Sequence, residues 1–335
     1  MERNDNCMRK YIVKRLLLSV MILFCVTFII YTLLRCLPAS YVETTAMQLA
    51  SAPGAKPYEE WLEQLNAAYG LDQEILPGYI TWLGQALRGQ FGDSWKYAMP
   101  VLDKFNEVIW LSFIMGAIAL ILELIIAIPL GVIAATKQYS RTDYAITAGA
   151  LVGISLPTFF FATILKLIFS VKLGWCDLYG LVGRDFALLD PVGQFLDMAN
   201  HLVLPIATLV IVSVGSLMRY TRTNMLEVLN SDYIRTARAK GLSEKKVIYE
   251  HAFRNTLIPL VTIIGGSLPG LFSGALITET LFTIPGIGYT SFEAMRIGDI
   301  PFSMFYMSFL AILTLASNLI SDILYAVVDP RVRIA

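Results

Sequence analysis

The side chains that most often do chemistry are scarce in this sequence and stand far apart. The chain has two histidines and four cysteines: His201, His251, Cys7, Cys25, Cys36 and Cys176. They form no CxxC or HExxH spacing, so the pattern predicts neither a metal site nor a catalytic residue. The sequence also lacks a GxxxxGK[ST] phosphate loop and a GxSxG nucleophile turn. Any ATP that the protein uses is therefore expected on another chain.

One carboxylate, Glu123, lies near the middle of a long apolar stretch, where a charge costs at least about 2.5 kcal/mol on insertion scales. It either faces a polar pathway and attracts an amino group, or is a protonated packing group. The apolar stretch 257–281 contains several small side chains, which either allow close helix packing or leave room for a polar cargo. The candidate pathway residues are therefore Glu123, Ser267, Gly270 and Ser273.

Other residues of the apolar stretches suggest local roles. Lys166 stands near the end of its stretch, where its long side chain is expected to reach the interface. Asp322 lies one helical turn from Asn318 and is expected to pair with it. Kinks are predicted at three prolines: Pro129, Pro157 and Pro269.

A basic segment, 219–254, has internal order. Asp232 is expected to cap one helix, and Ser243 a second one. Gly241 stands between them, where a helix end favours a left-handed residue. The pattern predicts two short helices joined by a tight glycine turn.

Three interpretations of this segment remain open. It is a solvated basic loop, a DNA-binding helix-turn-helix, or a docking surface for a partner. The second is disfavoured because the segment lies between two apolar stretches. The third fits the preformed turn and the apolar residues Leu242 and Val247, which occupy hydrophobic-staple positions.

The composition identifies the elements that carry these residues. Of 335 residues, 56% are hydrophobic and 16% are charged, which excludes an ordinary soluble enzyme. The net charge is zero, so no nucleic-acid partner is expected. An all-α membrane protein follows, because backbone groups in lipid need internal partners. Six apolar stretches are long enough to span a bilayer: 16–34, 108–135, 144–170, 202–218, 257–281 and 302–328.

The distribution of Lys and Arg predicts the orientation. Seventeen lie in the tails and loops of one side and seven on the other, so both termini are expected in the cytoplasm. The first stretch is expected to be a retained anchor, since it exceeds a usual signal-peptide core. Cys36 and Cys176 fall on the outer side, where a disulfide between them is conceivable.

The stretches divide the chain into three parts. They are a tail with the first helix (1–35), an extracytoplasmic region (36–107) and a five-helix core (108–335), with the short cytoplasmic helices at 225–255. Residues 58–66 and 79–87 are expected to form amphipathic helices in the outer region. That region either caps the bundle or contacts an external protein.

Residues 232–243, DYIRTARAKGLS, resemble the coupling-helix motif of ABC importer permeases in the form found in the dipeptide/oligopeptide/nickel permease family. Arg235, Thr236 and Ala237 stand where the general motif has Glu-Ala-Ala, and Gly241 matches its glycine. Further segments resemble the same family in the same order: 69–72, 82–84, 89–92, 279–288, 299–301, 318–325 and 329–333. The resemblance covers nearly the whole chain.

This resemblance implies the type I ABC importer architecture. The chain would be a non-enzymatic permease subunit in a bacterial or archaeal plasma membrane. Its expected partners are the lipid bilayer, a second homologous permease chain, two cytoplasmic ATPases that bind ATP and Mg²⁺, and an extracytoplasmic substrate-binding protein. The ATPase-coupling residues would be Asp232, Tyr233, Arg235, Thr236, Ala237, Arg238, Lys240, Gly241, Leu242 and Ser243.

The resemblance favours di- and oligopeptides as cargo and leaves nickel or a metal chelate as the alternative. A third possibility is a secondary transporter that works alone. It predicts several ionisable groups near the middle of the membrane, and only Glu123 meets that description.

Overall fold

The structure is a computed structural model that describes residues 2–37 and 41–328, without the side chains of residues 2–12, 258, 261, 262, 268 and 321–328. Its helices, in chain order, are α1 Glu2–Arg35, α2 Tyr41–Ala50, α3 Tyr58–Ala68, α4 Ile75–Ala86, α5 Val101–Thr136, α6 Arg141–Ser155, α7 Thr158–Leu165, α8 Pro191–Leu229, α9 Asp232–Ala239, α10 Glu244–Lys246, α11 Arg254–Gly266, α12 Leu268–Phe272, α13 Leu276–Phe282, α14 Ile287–Arg296 and α15 Ile300–Val328. Two π-helical segments, Lys166–Lys172 and Val247–Phe253, and a 3₁₀ turn, Phe186–Leu188, complete the helical elements. Strands β1 Asp93–Ser94 and β2 Met99–Pro100 form an antiparallel pair in which Asp93 faces Pro100.

Four helices in the described part of the chain are long and apolar enough to cross a membrane. They are Val13–Arg35 within α1, all of α5, all of α8, and Ile300–Ile320 within α15. This agrees with four of the six apolar stretches. The total of six spans and the location of the termini stay predictions.

The stretch 144–170, expected to be one helix, is instead two helices bent by 103°. Leu156, which separates α6 from α7, has extended backbone angles (φ −96°, ψ 139°). A residue before proline is pushed out of the helical region, and Pro157 also lacks the donor that would continue α6. The kink predicted at Pro157 is therefore confirmed as a complete break, whereas α5 continues through Pro129.

The expectation of one continuous helix over 257–281 is also wrong. It contains α11, α12 and the start of α13. Pro269 stands in the first turn of α12, and Gly274 has a left-handed backbone (φ +72°) after that helix. A Cβ on Gly274 would lie 2.5 Å from the backbone nitrogen of Gly288, so only glycine fits this crossing.

The chain divides into two compact units. In the described residues, the first unit comprises 2–110 and 290–320, and the second comprises 111–289 and 321–328. In the first unit α1 packs on α4, where the hydroxyls of Thr27 and Tyr79 are hydrogen-bonded at 2.9 Å. The two amphipathic helices expected in the outer region are confirmed as α3 and α4, while α2 was not predicted.

The second unit is held together by close helix crossings. Its core cluster joins residues of α5, α6, α8 and α11: Ala127, Ala134, Ala150, Leu217, Met218 and Leu260. A Cβ on Gly131 would lie 2.6 Å from the Thr221 side chain, and one on Gly215 would lie 2.6 Å from the carbonyl oxygen of Ala150. Small residues thus let these helix backbones approach closely, as packing in lipid favours.

Several local expectations have different outcomes. The Nζ of Lys166 donates to the carbonyl oxygen of Leu281 at 2.6 Å, at the end of α13 where carbonyls lack helical partners, and its reach to the membrane interface stays a prediction. Cys36 and Cys176 are free thiols, so the suggested disulfide is absent. The side chains of Cys7 and Asp322 lie outside the described residues.

Candidate functional site

The basic segment forms a compact turn, which we call the elbow (residues 231–253). Gly241 has φ +75°, the left-handed conformation expected of it. The guanidinium of Arg238 donates to Glu244 Oε1 at 2.7 Å and so bridges the two sides of this glycine. That hydrogen bond, with a smaller opposing effect of burial, holds the pKa of the Glu244 carboxyl below its usual range.

The capping expected of Asp232 is wrong. Helix α9 begins at Asp232, and Ser231, with an extended backbone, occupies the N-cap position. The Asp232 carboxylate instead lies 3.8 Å from the Arg235 guanidinium. Ser243 does occupy the N-cap position of α10, as expected, but its side chain makes no cap hydrogen bond.

The second helix of the elbow is longer than expected. α10 leads into the π-helical segment Val247–Phe253, whose flanking residues Lys246 and Arg254 are both helical, and then into α11. The chain is therefore helical from residue 244 to residue 266. A displacement of the elbow would therefore be carried directly along α11 within the second unit.

The inner face of the elbow packs on the ends of two long helices. One buried cluster joins Ile234 and Ala237 of α9, Val247 and Ala252 of the π-helical segment, Met225 of α8, and Val132 and Ala135 of α5. Leu242 is half-buried against the same cluster. Ala237 and Leu242 therefore act in packing.

The outer face of the elbow is exposed. Tyr233 is 48% exposed. The other exposed candidates on this face are Asp232, Arg235, Thr236, Arg238, Lys240, Gly241 and Ser243. One face is thus anchored in the core and the other presents charged and aromatic groups.

A buried ion pair that the sequence did not predict joins α6 to α8. Asp143 is 3% exposed and accepts two hydrogen bonds, each of 2.8 Å, from the Arg222 guanidinium. The carboxylate also accepts from the backbone nitrogen of Tyr139 at 3.0 Å and from the Thr147 hydroxyl at 3.2 Å. The two charged residues are 79 positions apart, so local spacing carries no signal for the pair.

A cavity of about 400 Å³ lies in the second unit and contains three of the four pathway candidates. Glu123, Ser267 and Gly270 line it, whereas Ser273 does not. Among the described lining residues Glu123 is the one with an acidic or basic side chain. A Cβ on Gly270 would meet no atom within 4 Å, so the wall is open there.

A second buried carboxylate, Glu279, organises the turn between α13 and α14. It is fully buried, and Oε1 accepts from the Ser112 hydroxyl at 2.7 Å and from the backbone nitrogen of Ala275 at 2.9 Å. Oε2 accepts from the backbone nitrogen of Tyr289 at 2.8 Å, and Ser112 Oγ accepts from that of Ile287 at 2.8 Å. Sequence reasoning treated this segment only as a family resemblance and missed the role of its carboxylate.

The second glycine of the Pro-Gly-Ile-Gly turn is also confined by this carboxylate. A Cβ on Gly288 would lie 3.0 Å from Glu279 Oε2, and one on Gly286 would lie 2.6 Å from it. The glutamate and the two glycines therefore form one structural unit.

The comparisons with known proteins agree with this architecture. A family model described as "Binding-protein-dependent transport system inner membrane component" matches residues 127–334. The chain is 36% identical to the oligopeptide transport system permease protein AppB of Bacillus subtilis (strain 168), over 97% of this chain and all of the relative. It is 34% identical to the di/tripeptide permease protein DppB of Pseudomonas aeruginosa (strain UCBPP-PA14) and 33% identical to the dipeptide permease protein DppB of Escherichia coli (strain K12), each over 97% of this chain and 99% of the relative.

A solved structure is similar in fold. The inward-facing MetNI methionine ABC transporter matches with a TM-score of 0.52 at 16% identity, covering 68% of this chain and 97% of the matched chain. At that identity the match concerns the fold alone, and it agrees with the importer-permease architecture.

Proposed function

This chain belongs to the family of binding-protein-dependent transport system inner membrane components, and from that membership we propose that it forms one half of the translocation path of a peptide importer. A second, homologous permease chain supplies the other half. Two ATPase subunits bind ATP and Mg²⁺ on the cytoplasmic side, and an external binding protein delivers the cargo. The chain itself catalyses no reaction, and it resides in a bacterial or archaeal plasma membrane.

The elbow is the observation that carries this proposal. Its buried face packs on α5 and α8, its second helix continues to residue 266, and its outer face is exposed and charged. Such a surface suits a partner that pushes on the molecule, because movement of α9 has to displace the helix ends packed against it. With the elbow in the cytoplasm, the pushing partner is the ATPase.

Peptides are the proposed cargo for two reasons. The relatives above are named as oligopeptide, di/tripeptide and dipeptide permeases. In addition, the cavity lined by Glu123 offers a carboxylate to a cationic amino terminus while its remaining described lining is uncharged. We propose that Glu123, Ser267 and Gly270 face the cargo, and that Ser273 supports the wall, since its hydroxyl donates to the carbonyl oxygen of Gly270 at 3.0 Å.

The coupling role is tested at Gly241. Because φ is +75° and a Cβ there would meet no atom within 4 Å, a substitution acts through backbone strain alone. Gly241→Val should therefore be costly, since a β-branched residue rarely adopts this conformation, whereas Gly241→Asn should be tolerated. Gly89→Val is a matched control in the first unit, with φ +75° and equally open surroundings.

The measurement is ATP hydrolysis by the reconstituted complex, with and without the peptide-loaded binding protein. We expect Gly241→Val to lose most of the stimulation, and Gly241→Asn and Gly89→Val to retain it. Full stimulation in an assembled Gly241→Val complex would overturn the coupling role. Peptide binding by the partner binding protein tests the cargo separately, and a binding protein that takes only nickel or its chelates would replace peptides with that alternative.

A further inference from the structure

Three potential metal ligands meet beside the first part of α8, away from the cavity and the elbow. His201 and Asp197 lie one helical turn apart on α8, and Asp177 belongs to the loop that follows the π-helical segment after α7. One ligand atom from each side chain lies within 4.8 Å of the others. Because Asp177 is 24 positions from His201 in the sequence, the three residues do not form a short sequence motif.

The histidine is prepared to bind a cation. His201 is 4% exposed, and its Nδ1 lies 2.8 Å from the backbone carbonyl oxygen of Asp197. A carbonyl only accepts, so Nδ1 carries the proton, and Nε2 of the neutral ring presents a lone pair. Among the described residues no hydrogen bond reaches Nε2. Metal-binding histidines are held in this way, with the other ring nitrogen donating to a carbonyl or carboxylate.

Hydrogen bonds between the loop and α8 position the Asp197 carboxylate and the backbone of Asp177. Asp197 Oδ2 accepts from the backbone nitrogen of Gly183 at 2.8 Å, and a Cβ on Gly183 would lie 2.7 Å from Asp197 Oδ1. The Asn200 side chain receives a hydrogen bond from the backbone nitrogen of Asp177 at 3.2 Å and donates to the carbonyl oxygen of Trp175 at 3.1 Å. The loop is therefore tied to α8 at Asp197 and at Asn200, beside His201.

The separation between Nε2 and Asp177 fits two ligands of one metal ion. Nε2 of His201 lies 3.7 Å from Asp177 Oδ2, and one ligand atom from each of the three side chains lies within 4.8 Å of the others. A hydrogen bond between Nε2 and the carboxylate would need about 3 Å. Two ligands bound tetrahedrally at about 2.1 Å to one ion are about 3.4 Å apart and never more than about 4.2 Å apart. The Asp177 side chain is 55% exposed and has room to move toward Nε2, and the 4.8 Å spread of the three ligand atoms has to contract below this limit when the ion binds.

We propose that Asp177, Asp197 and His201 bind a divalent transition-metal ion of the Zn²⁺ type, with water completing its coordination. An imidazole ligand favours Zn²⁺ or Ni²⁺ over Mg²⁺ and Ca²⁺, which prefer oxygen ligands alone. The ion would fasten the loop to α8. It is a resident ion, so the proposal does not depend on which cargo the importer carries.

The test uses the full chain, purified in detergent without a polyhistidine tag, stripped with a chelator and titrated with Zn²⁺. We expect one Zn²⁺ per chain, retained in the presence of millimolar Mg²⁺. Asp177→Asn and His201→Gln should each weaken binding at least about 10-fold. Two matched controls should bind as the unmodified chain does: Asp185→Asn, an exposed acid of the same loop, and His251→Gln, the other histidine.

A second measurement is the melting temperature, which Zn²⁺ should raise in the unmodified chain and leave unchanged in Asp177→Asn. Because Asp177 is exposed, its variant should fold even where His201→Gln does not. The proposal is overturned if the chain takes up no Zn²⁺ at micromolar concentration. It is equally overturned if Asp177→Asn binds the ion as tightly as the unmodified chain, which would indicate an adventitious ion only.

Discussion

The Glu279 carboxylate provides the sharpest quantitative test of the fold. It is fully buried and accepts three hydrogen bonds, of 2.7, 2.9 and 2.8 Å, two of them from backbone nitrogens. Glu279→Gln keeps the side-chain shape but turns one acceptor into a donor. Whichever way the amide is oriented, its NH₂ group faces a backbone N–H. The variant therefore tests hydrogen bonding with little change in packing.

The cost follows from the contacts. Losing one charge-assisted hydrogen bond costs about 1.5–3 kcal/mol, and a buried N–H without a partner adds about 1–3 kcal/mol. Removing the buried charge offsets part of this, because the ionised carboxylate no longer has to be desolvated. We expect a net loss of about 2–4 kcal/mol in the free energy of unfolding. At roughly 2 °C per kcal/mol for a chain of this size, the melting temperature should fall by about 4–8 °C.

The assay is thermal unfolding of the full chain in detergent. Unfolding is measured as the loss of the monomer peak in size-exclusion chromatography after heating. Glu107→Gln is the control, since this carboxylate is 58% exposed and contacts Lys104 in a surface pair; it should change stability by less than about 0.5 kcal/mol. Ser112→Ala should cost a similar amount to Glu279→Gln, because it removes the acceptor for Ile287 as well. The double variant should cost less than the sum, since both substitutions disrupt one network. A melting temperature of Glu279→Gln within 1 °C of the unmodified chain would refute this reasoning.

Three further outcomes follow from other groups. Glu123→Gln should reduce transport of peptides with a free amino terminus about 10-fold, equivalent to ~1.4 kcal/mol, and leave amino-acetylated peptides unaffected; equal effects on both in vesicle uptake assays would contradict a cargo contact. Asp143→Asn should destabilise the chain by about 1–3 kcal/mol in thermal unfolding, because the buried carboxylate is lost to Arg222, whose side chain is 23% exposed, and a shift no larger than that of an exposed Asp→Asn change would contradict this. The pKa of Glu244 is lowered by Arg238, so the contribution of this pair is present above the ordinary carboxyl pKa of about 4.3 and is lost as the pH falls through the lower folded value. Hydrogen exchange of the elbow amides, corrected for intrinsic rates, should show this loss of stability, which is at most about 1 kcal/mol for an exposed pair. In Glu244→Gln the stability of the elbow should no longer change over this pH range.

Local features of this protein could be predicted from its sequence. The apolar stretches matching α1, α5, α8 and α15 are long enough that composition alone identifies them. The left-handed turn at Gly241 follows from a glycine between two helical patterns, and α3 and α4 follow from amphipathic spacing. In each case the cause lies within a few residues of its effect.

Predictions failed where several good local choices competed. Asp232 and Ser231 are both acceptable N-cap residues, and the backbone conformation selected Ser231. Hydropathy made one helix of 144–170; Pro157 locates the break within it, and the angle of 103° is set where α6 and α7 pack against α8. The interruption of 257–281 likewise depends on the close approach of Gly274 to Gly288.

The pairings between distant residues belong to the tertiary structure alone. Asp143 meets Arg222, Glu279 meets Ser112, and Asp177 meets His201 because the helices and the loop that carry them pack side by side. A buried charge needs a partner wherever the fold can provide one, and the sequence states only that a charge is present. Composition and local spacing therefore determined the long apolar helices and the turn at Gly241. Packing decided which of their polar groups meet, because that depends on helix contacts separated by tens to hundreds of residues along the chain.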